Sequence, residues 1–349
     1  MIKAVVIDDS NFMRKVLKDT LKNTDVKVVS EGENGFIGLG EIQKHRPDVV
    51  LLDVEMPILT GLDTLELIMK KAPTPVIMFS SLTKQGADTT IEALRLGAVD
   101  FLQKPKSGFE VFGLKEMLLE KIETAAEAKL KESKVKPVIS KQKNLTVKSK
   151  KSSISQIEKK EAKKAVVIGC STGGPKALTQ LLSDLDNLDG ALLIVQHMPA
   201  FFTKTLAKRL NDISKYPVKE AEDGEVIKDQ AIYLAPGDYH LTLDQKEGKT
   251  ITKLDQNPSL HGCRPAVDYL FNSAAPIFKG NLTAAILTGM GKDGLEGSRT
   301  VKKHGGRVIT ESEETCTIYG MPRQVVENNL QDAIVPIDKM ADKITEKVR

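Results

Sequence analysis

Three residues in the C-terminal half are of the types that nucleophilic catalysis needs. Ser171 stands in the turn Gly169-Cys170-Ser171-Thr172-Gly173-Gly174-Pro175, His197 closes the apolar run Leu193-Ile194-Val195-Gln196, and Asp293 follows Leu287-Thr288-Gly289-Met290-Gly291-Lys292. A serine hydroxyl is a poor nucleophile at neutral pH. It needs a base within hydrogen-bond reach, and the base needs a carboxylate that fixes its tautomer and stabilises its cation. A strand-turn-helix around the serine also leaves backbone N–H groups free to stabilise a developing oxyanion. Thr172 is the nearest candidate and the Gly289-Met290-Gly291 backbone, centred on Met290, the second; each such donor is worth about 3 to 4 kcal/mol of barrier.

A second set of chemically able residues lies in the N-terminal third. Asp8-Asp9, Asp53, Ser80-Ser81 and Lys104-Pro105 each follow a separate apolar run. Carboxylates gathered at one edge repel one another, and a hard cation relieves that repulsion; oxygen ligands completed by water suit Mg2+. Lys104 can neutralise a phosphoryl oxygen and the Ser80 hydroxyl can hydrogen-bond another.

Both sets need parallel strands to bring them together. The stretches Ile2 to Ile7, Val26 to Val29, Val49 to Leu52, Val76 to Phe79 and Val99 to Leu102 read as strands, with amphipathic segments such as Gly61 to Lys71 between them. Five such units predict a parallel, doubly wound sheet whose ligand site lies at the carboxyl ends of its strands. A second α/β pattern follows, with strands at Ala165 to Gly169, Ala191 to Gln196 and Leu282 to Thr288 and Gly-rich turns after them. If these three are parallel, Ser171, His197 and Asp293 reach one sheet edge.

The letters Gly169 to Gly173 fit G-x-S-x-G, yet here the histidine precedes the acid, which is not the order of α/β-hydrolases. A dinucleotide site fares worse, lacking the G-x-G-x-x-G spacing. Of the other histidines, His240 falls in a strand, His304 near a helix end, His45 in the first domain, and His261 in a loop that could line a site. Cys170, Cys263 and Cys316 form no C-x-x-C pair, so neither a zinc site nor a disulfide framework is expected.

The chain has 349 residues, enough for two domains. Its net charge of +4 is local: residues 125–164 hold 13 lysines against four acids, which leaves the rest of the chain acidic. With no tryptophan and no basic-aromatic interleaving, a nucleic-acid surface on the folded parts is not expected. No apolar run reaches the roughly 20 residues of a membrane span, and a cytoplasmic protein without a signal peptide is expected. The Lys- and Ser-rich stretch reads as a tether of residues 123–163, spanning roughly 35 Å root-mean-square if disordered.

Residues 1–122, with the run Asp53-Val54-Glu55-Met56-Pro57, resemble a response-regulator receiver domain. The resemblance implies a flavodoxin-like (βα)5 fold with Asp53 as phosphoacceptor. It implies Mg2+ held by Asp8, Asp9, Asp53 and the backbone carbonyl of Glu55, and Ser80 and Lys104 as contacts of the phosphoryl group. Phe101 is given no switching role. Residues 164–349, through IGCSTGGPKAL, VQHMP, YLAPGDYHL, CRPAVDYLF, LTGMGKDG and YGMPRQV, resemble the CheB methylesterase family. That resemblance implies a doubly wound α/β domain with a mostly parallel sheet and no cofactor for hydrolysis. Its implied activity is hydrolysis of glutamate γ-methyl esters on chemoreceptors, with deamidation of certain glutamines, by Ser171, His197 and Asp293. A CheA-type histidine kinase is the implied phosphodonor. The receiver, through a face including Ser80-Ser81 and the segment to Lys104, is expected to cover the esterase cleft until Asp53 is phosphorylated. A non-enzymatic adaptor or phosphate sink, and a serine hydrolase for another ester or amide, are the alternatives; a DNA-binding output is disfavoured.

Overall fold

Parallel strands buried on both faces are apolar throughout and end where the chain turns polar, and this rule marks both sheets. The computed structural model describes residues 1–81, 83–104, 111–128 and 160–346. In the N-terminal domain β1 (Ile2–Ile7), β2 (Val26–Gly32), β3 (Val49–Asp53), β4 (Val76–Ser80) and β5 (Asp100–Gln103) alternate with α1 (Asn11–Leu21), α2 (Gly35–His45), α3 (Gly61–Lys71), α4 (Lys84–Leu96) and α5 (Val111–Glu127). The sheet is parallel in the order β2-β1-β3-β4-β5. Ile7, Leu51, Leu52, Ile77, Met78 and Phe79 are fully buried in its core.

The C-terminal domain contains β6 (Ala165–Cys170), α6 (Gly174–Asp184), β7 (Ala191–Gln196), α7 (Ala200–Ile213), β8 (Val218–Glu220) and β9 (Ile232–Leu234). The hairpin β10 (His240–Lys246) and β11 (Lys249–Asp255) comes next, then α8 (Val267–Phe278), β12 (Leu282–Ile286), α9 (Leu295–Lys303), β13 (Arg307–Glu311), α10 (Met321–Glu327), β14 (Ala333–Val335) and α11 (Ile337–Thr345). Seven strands form one sheet in the order β14-β13-β12-β6-β7-β9-β8, every neighbouring pair parallel. The hairpin stands apart as an antiparallel pair.

Strand order decides where ligands bind. In open α/β sheets a crevice opens where successive connections leave to opposite faces. In the first sheet that point lies between β1 and β3, which end beside Asp8-Asp9 and at Asp53; in the second it lies between β6 and β12, which precede Ser171 and the turn to Asp293. Each set of candidate residues therefore sits at its own domain's switch point.

Helix α5 continues past residue 122 to Glu127. At the far end of the expected tether, Glu161 bridges to Lys228 and Ala162 is buried in the C-terminal domain. Most of the expected tether, with Pro137, lies outside the described residues, as does Pro105 after Lys104. No helix among the described residues is long and apolar enough to cross a membrane, and the three cysteines are free.

Candidate active site

Ser171 directly follows β6. Its amide donates to Thr288 O at 3.0 Å, and its carbonyl accepts from the Gly174 amide at 2.8 Å, closing a tight turn into α6. The turn passes through Gly173 at φ +83°, where an added Cβ would lie 2.5 Å from the Thr317 side chain. Only glycine meets both demands. The register pairs Cys170 with Gln196 across β6 and β7, and the His197 amide donates to Cys170 O at 3.1 Å. Ser171 and His197 are thus successive residues beyond a paired position on adjacent strands.

His197 Nε2 lies 2.7 Å from Asp293 Oδ2. The Asp293 carboxylate, almost wholly buried, also accepts the amides of Val267 (2.7 Å) and Asp268 (2.9 Å). With Nε2 engaged, Nδ1 is the ring nitrogen left to serve a hydroxyl. Among the described residues no hydrogen bond joins the Ser171 hydroxyl to the imidazole; such contacts are often long before substrate binds and tighten in the reacting complex. Burial pulls the imidazole pKa down, but hydrogen bonds with Asp293 and Cys263 outweigh it and hold His197 above its ordinary value. For Asp293 burial pushes upward, and the imidazole with the two amides brings the carboxyl below its ordinary range. The two shifts agree in describing a charge-favouring pair.

The candidate oxyanion donors are unequal. The Gly289 amide is already committed to Ile318 O at 3.1 Å, whereas the Thr172 and Met290 amides make no hydrogen bond among the described residues. The side chains of both residues contact the N-terminal domain. The Thr172 hydroxyl donates to Asp100 Oδ2 at 2.5 Å, and the Thr124 hydroxyl on α5 contacts Met290 Sδ.

In the N-terminal domain, carboxylate oxygens of Asp8, Asp9 and Asp53 lie within 4.8 Å of one another. Lys104 Nζ is 2.7 Å from Asp53 Oδ1 and 3.1 Å from Asp8 Oδ2. Burial is the largest influence on Asp53, opposed by Lys104 and reinforced by the Asp8 charge, and its carboxyl is pushed up to about 6. Asp53 Oδ2 is buried without a hydrogen-bond partner. An oxygen so placed among three carboxylates fits a hard divalent cation. The Glu55 amide donates to Asp53 Oδ1 at 3.2 Å. Ser80, fully buried, directs its hydroxyl to the carbonyls of Gly86 (3.2 Å) and Ser81 (3.3 Å) rather than to Asp53.

Contact between the domains comes from α4, β5 and α5, a face that overlaps the expected Ser80 to Lys104 segment and extends beyond it. The Phe101 ring packs on Phe202 of α7 with centroids 4.3 Å apart. Arg209 of α7 pairs with the Glu92 carboxylate and donates to Asp88 O at 2.8 Å. Arg95 first, and then Arg209, hold the Glu92 carboxyl below its ordinary range against the opposing effect of burial.

Residues 166–344 match the CheB methylesterase family, and residues 4–112 match the response regulator receiver domain. The protein-glutamate methylesterase/protein-glutamine glutaminase of Thermotoga maritima is 45% identical over 352 residues, covering 100% of this chain and 99% of that protein. The chain belongs to the CheB methylesterase family. A second relative of the same name, from Pyrococcus horikoshii, is 41% identical over 99% of this chain and 94% of its own length. The crystal structure of the Thermotoga maritima CheB methylesterase catalytic domain aligns with a TM-score of 0.52 at 47% identity, covering 53% of this chain and 98% of that one.

Four further residues of this CheB-family site escaped the sequence reading. Gln196 is buried and donates from Nε2 to the carbonyls of Ser171 (3.0 Å) and His197 (3.2 Å), while Oε1 lies 3.1 Å from Cys170 Sγ. A polar residue ending an otherwise apolar strand was the available signal. Cys263 touches the imidazole, Asp268 adjoins Asp293, and Asp100 reaches Thr172; none has a local signature, because each partner lies far away in sequence. Cys170 is fully buried and its thiol is pushed strongly up by that burial, so it is no nucleophile. His261 stands 3.9 Å from Asp268.

Proposed function

We propose that Ser171, His197 and Asp293 carry out the protein-glutamate methylesterase and protein-glutamine glutaminase chemistry of this family member, under control of phosphorylation at Asp53. His197 takes the Ser171 proton as Oγ adds to the ester carbonyl of a methylated glutamate, and Asp293 stabilises the imidazolium formed. The Thr172 and Met290 amides receive the developing oxyanion. The imidazolium then returns its proton to the departing methoxide, releasing methanol and leaving a glutamyl ester on Ser171. Water, activated by the neutral imidazole, opens that ester. With a glutamine substrate ammonia leaves in place of methanol, and the second half is unchanged.

In the receiver, Asp53 offers the accepting carboxylate and Lys104 a fixed positive charge. Asp8, Asp9 and Asp53, with the Glu55 carbonyl, would hold Mg2+, which when bound neutralises charge on phosphoryl oxygens. Asp100 and Phe101 stand three or four residues before Lys104 on one short strand, so a change at the acidic site bears directly on the residues that touch Thr172 and Phe202. Opening of that contact uncovers the oxyanion donors. A cytoplasmic location, methylated chemoreceptor helices as substrate and a CheA-type histidine kinase as phosphodonor complete the proposal.

The observation that carries it is the 2.7 Å His197–Asp293 pair, formed beside the turn that presents Ser171. The test is methanol release from methyl-labelled receptor by purified protein, with and without a small-molecule phosphodonor. Ser171→Ala is expected to release none in either condition; release at the wild-type rate would overturn the assignment.

A further inference from the structure

Helices α8 and α9 cap one another with aspartates, and one of the two is the candidate triad carboxylate. Neither helix has a side-chain cap of its own: Ala266 precedes α8 and Gly294 precedes α9. The first-turn amides of α8, from Val267 and Asp268, donate instead to Asp293 Oδ2 and Oδ1. In return Asp268 Oδ1 accepts the Gly297 amide in the first turn of α9 at 2.6 Å. Each carboxylate thereby satisfies helix N–H groups that have no intrahelical acceptor and lies at the positive end of a helix dipole.

The geometry has a consequence for the relay. Asp293 lies two residues before α9 begins. The Asp268–Gly297 bond therefore ties the start of the helix that follows Asp293 to the helix whose amides orient Asp293 toward His197. The same turn of α8 also meets the nucleophile strand, because a Cβ added at Gly169, two residues before Ser171, would lie 2.4 Å from Val267 Cγ1. Asp268 is buried, and His261 Nε2 stands 3.9 Å from its Oδ2.

We propose that Asp268 is a positioning residue for the esterase and amidase reaction: as hydrogen-bond acceptor for Gly297 it fixes the approach of Asp293 to His197, without touching substrate. The proposal rests on the Ser171, His197 and Asp293 reading. A misplacement of about 1 Å in such a relay costs up to about 100-fold in rate.

The experiment uses full-length protein and methylated receptor. Asp268→Ala is expected to lower kcat about 10- to 100-fold with KM nearly unchanged, and Asp268→Asn, whose amide oxygen can still accept from Gly297, to restore kcat to within a few-fold of wild type. A proton NMR resonance of the His197 Nε2–H bonded to Asp293, at low field in wild type and in Ser171→Ala, is expected to move upfield in Asp268→Ala and to return in Asp268→Asn. If Asp268→Ala does not fold, Asp268→Glu, which pushes the acceptor one methylene toward α9, carries the same expectation of slower kcat and a shifted resonance. A wild-type kcat or an unmoved resonance in the Ala or, failing that, the Glu variant overturns the proposal, as does an Asn variant as slow as Ala. Ser171→Ala separates the two readings. If it still turns over, the triad assignment has failed; if it is silent while Asp268→Ala matches wild type, only the positioning role has failed.

Discussion

Removing the Asp100 side chain should switch the esterase partly on without any phosphoryl donor. In the closed arrangement Asp100 Oδ2 accepts the Thr172 hydroxyl at 2.5 Å and the Lys121 ammonium at 2.7 Å, and both Asp100 and Thr172 are buried. Asp100→Ala leaves the Thr172 hydroxyl without its acceptor only while the domains are together, since water replaces it when they part. A hydrogen bond to a charged group contributes about 1.5 to 3 kcal/mol. Taking about 2 kcal/mol as the loss to the closed form alone, the ratio of open to closed protein rises roughly 30-fold, at 1.4 kcal/mol per factor of ten. Protein about 1% open would become about a quarter open. Initial rates of methanol release without phosphodonor should therefore climb about 20-fold, and the further gain on adding phosphodonor should shrink to about fourfold. A basal rate within twofold of wild type, with phosphodonor activation intact, would show that this contact does not hold the site shut.

Asp53→Asn should keep basal methanol release and lose stimulation by phosphodonor; stimulation of normal size in that variant refutes the switch. Chelation of divalent cations should do the same, abolishing stimulation while leaving basal hydrolysis, which the EDTA-treated protein can show directly. Because Asp293 and Cys263 hold the His197 pKa above its ordinary 6.5 or so, the imidazolium persists above that pH and cannot accept the Ser171 proton. The kcat/KM should rise with pH to a half-maximum above about 6.5, and a plateau already reached at lower pH contradicts the shift. The same raised value makes the His197–Asp293 pair most stabilising below the unfolded-state pKa, with that part lost as pH climbs through the folded one. Melting temperature and activity should therefore move in opposite directions over that limb.

Strand ends were legible because a buried parallel strand is an apolar run, and the polar residues that end or closely follow it stand at the ligand-binding edge. Asp8, Asp53, Lys104, Ser171 and His197 were all placed at such strand ends in this way. Asp100 was not, since it begins β5 rather than ending it and its role depends on a domain 72 residues further on. Asp268 reads as one polar position on an apolar helix; only the fold reveals that its acceptor oxygen serves α9. The Gly289 amide looked as free as that of Met290, yet the chain after β13 returns to take it with Ile318 O. Ser80 was placed correctly at a strand end, but its hydroxyl turns to the Gly86 carbonyl of α4, a choice set by how that helix starts rather than by the residue itself.

The contacts between the domains also set how sharp the switch can be. The Asp100–Thr172 bond contributes about 2 kcal/mol by the reckoning above. The Phe101–Phe202 ring pair adds about 0.5 to 1.5 kcal/mol beyond its burial. The Arg209–Glu92 ion pair, with both side chains a quarter to a third exposed, adds about 0 to 1 kcal/mol. Apart from apolar burial, together they reach about 2.5 to 4.5 kcal/mol, whereas a swing from 1% to 99% open requires about 5.5 kcal/mol. A phosphoryl group that removed these three contributions alone would still leave a measurable closed fraction. If Asp53 is the phosphorylated residue, as proposed, such an interface yields a graded esterase whose output follows the extent of that phosphorylation, in place of an all-or-none gate.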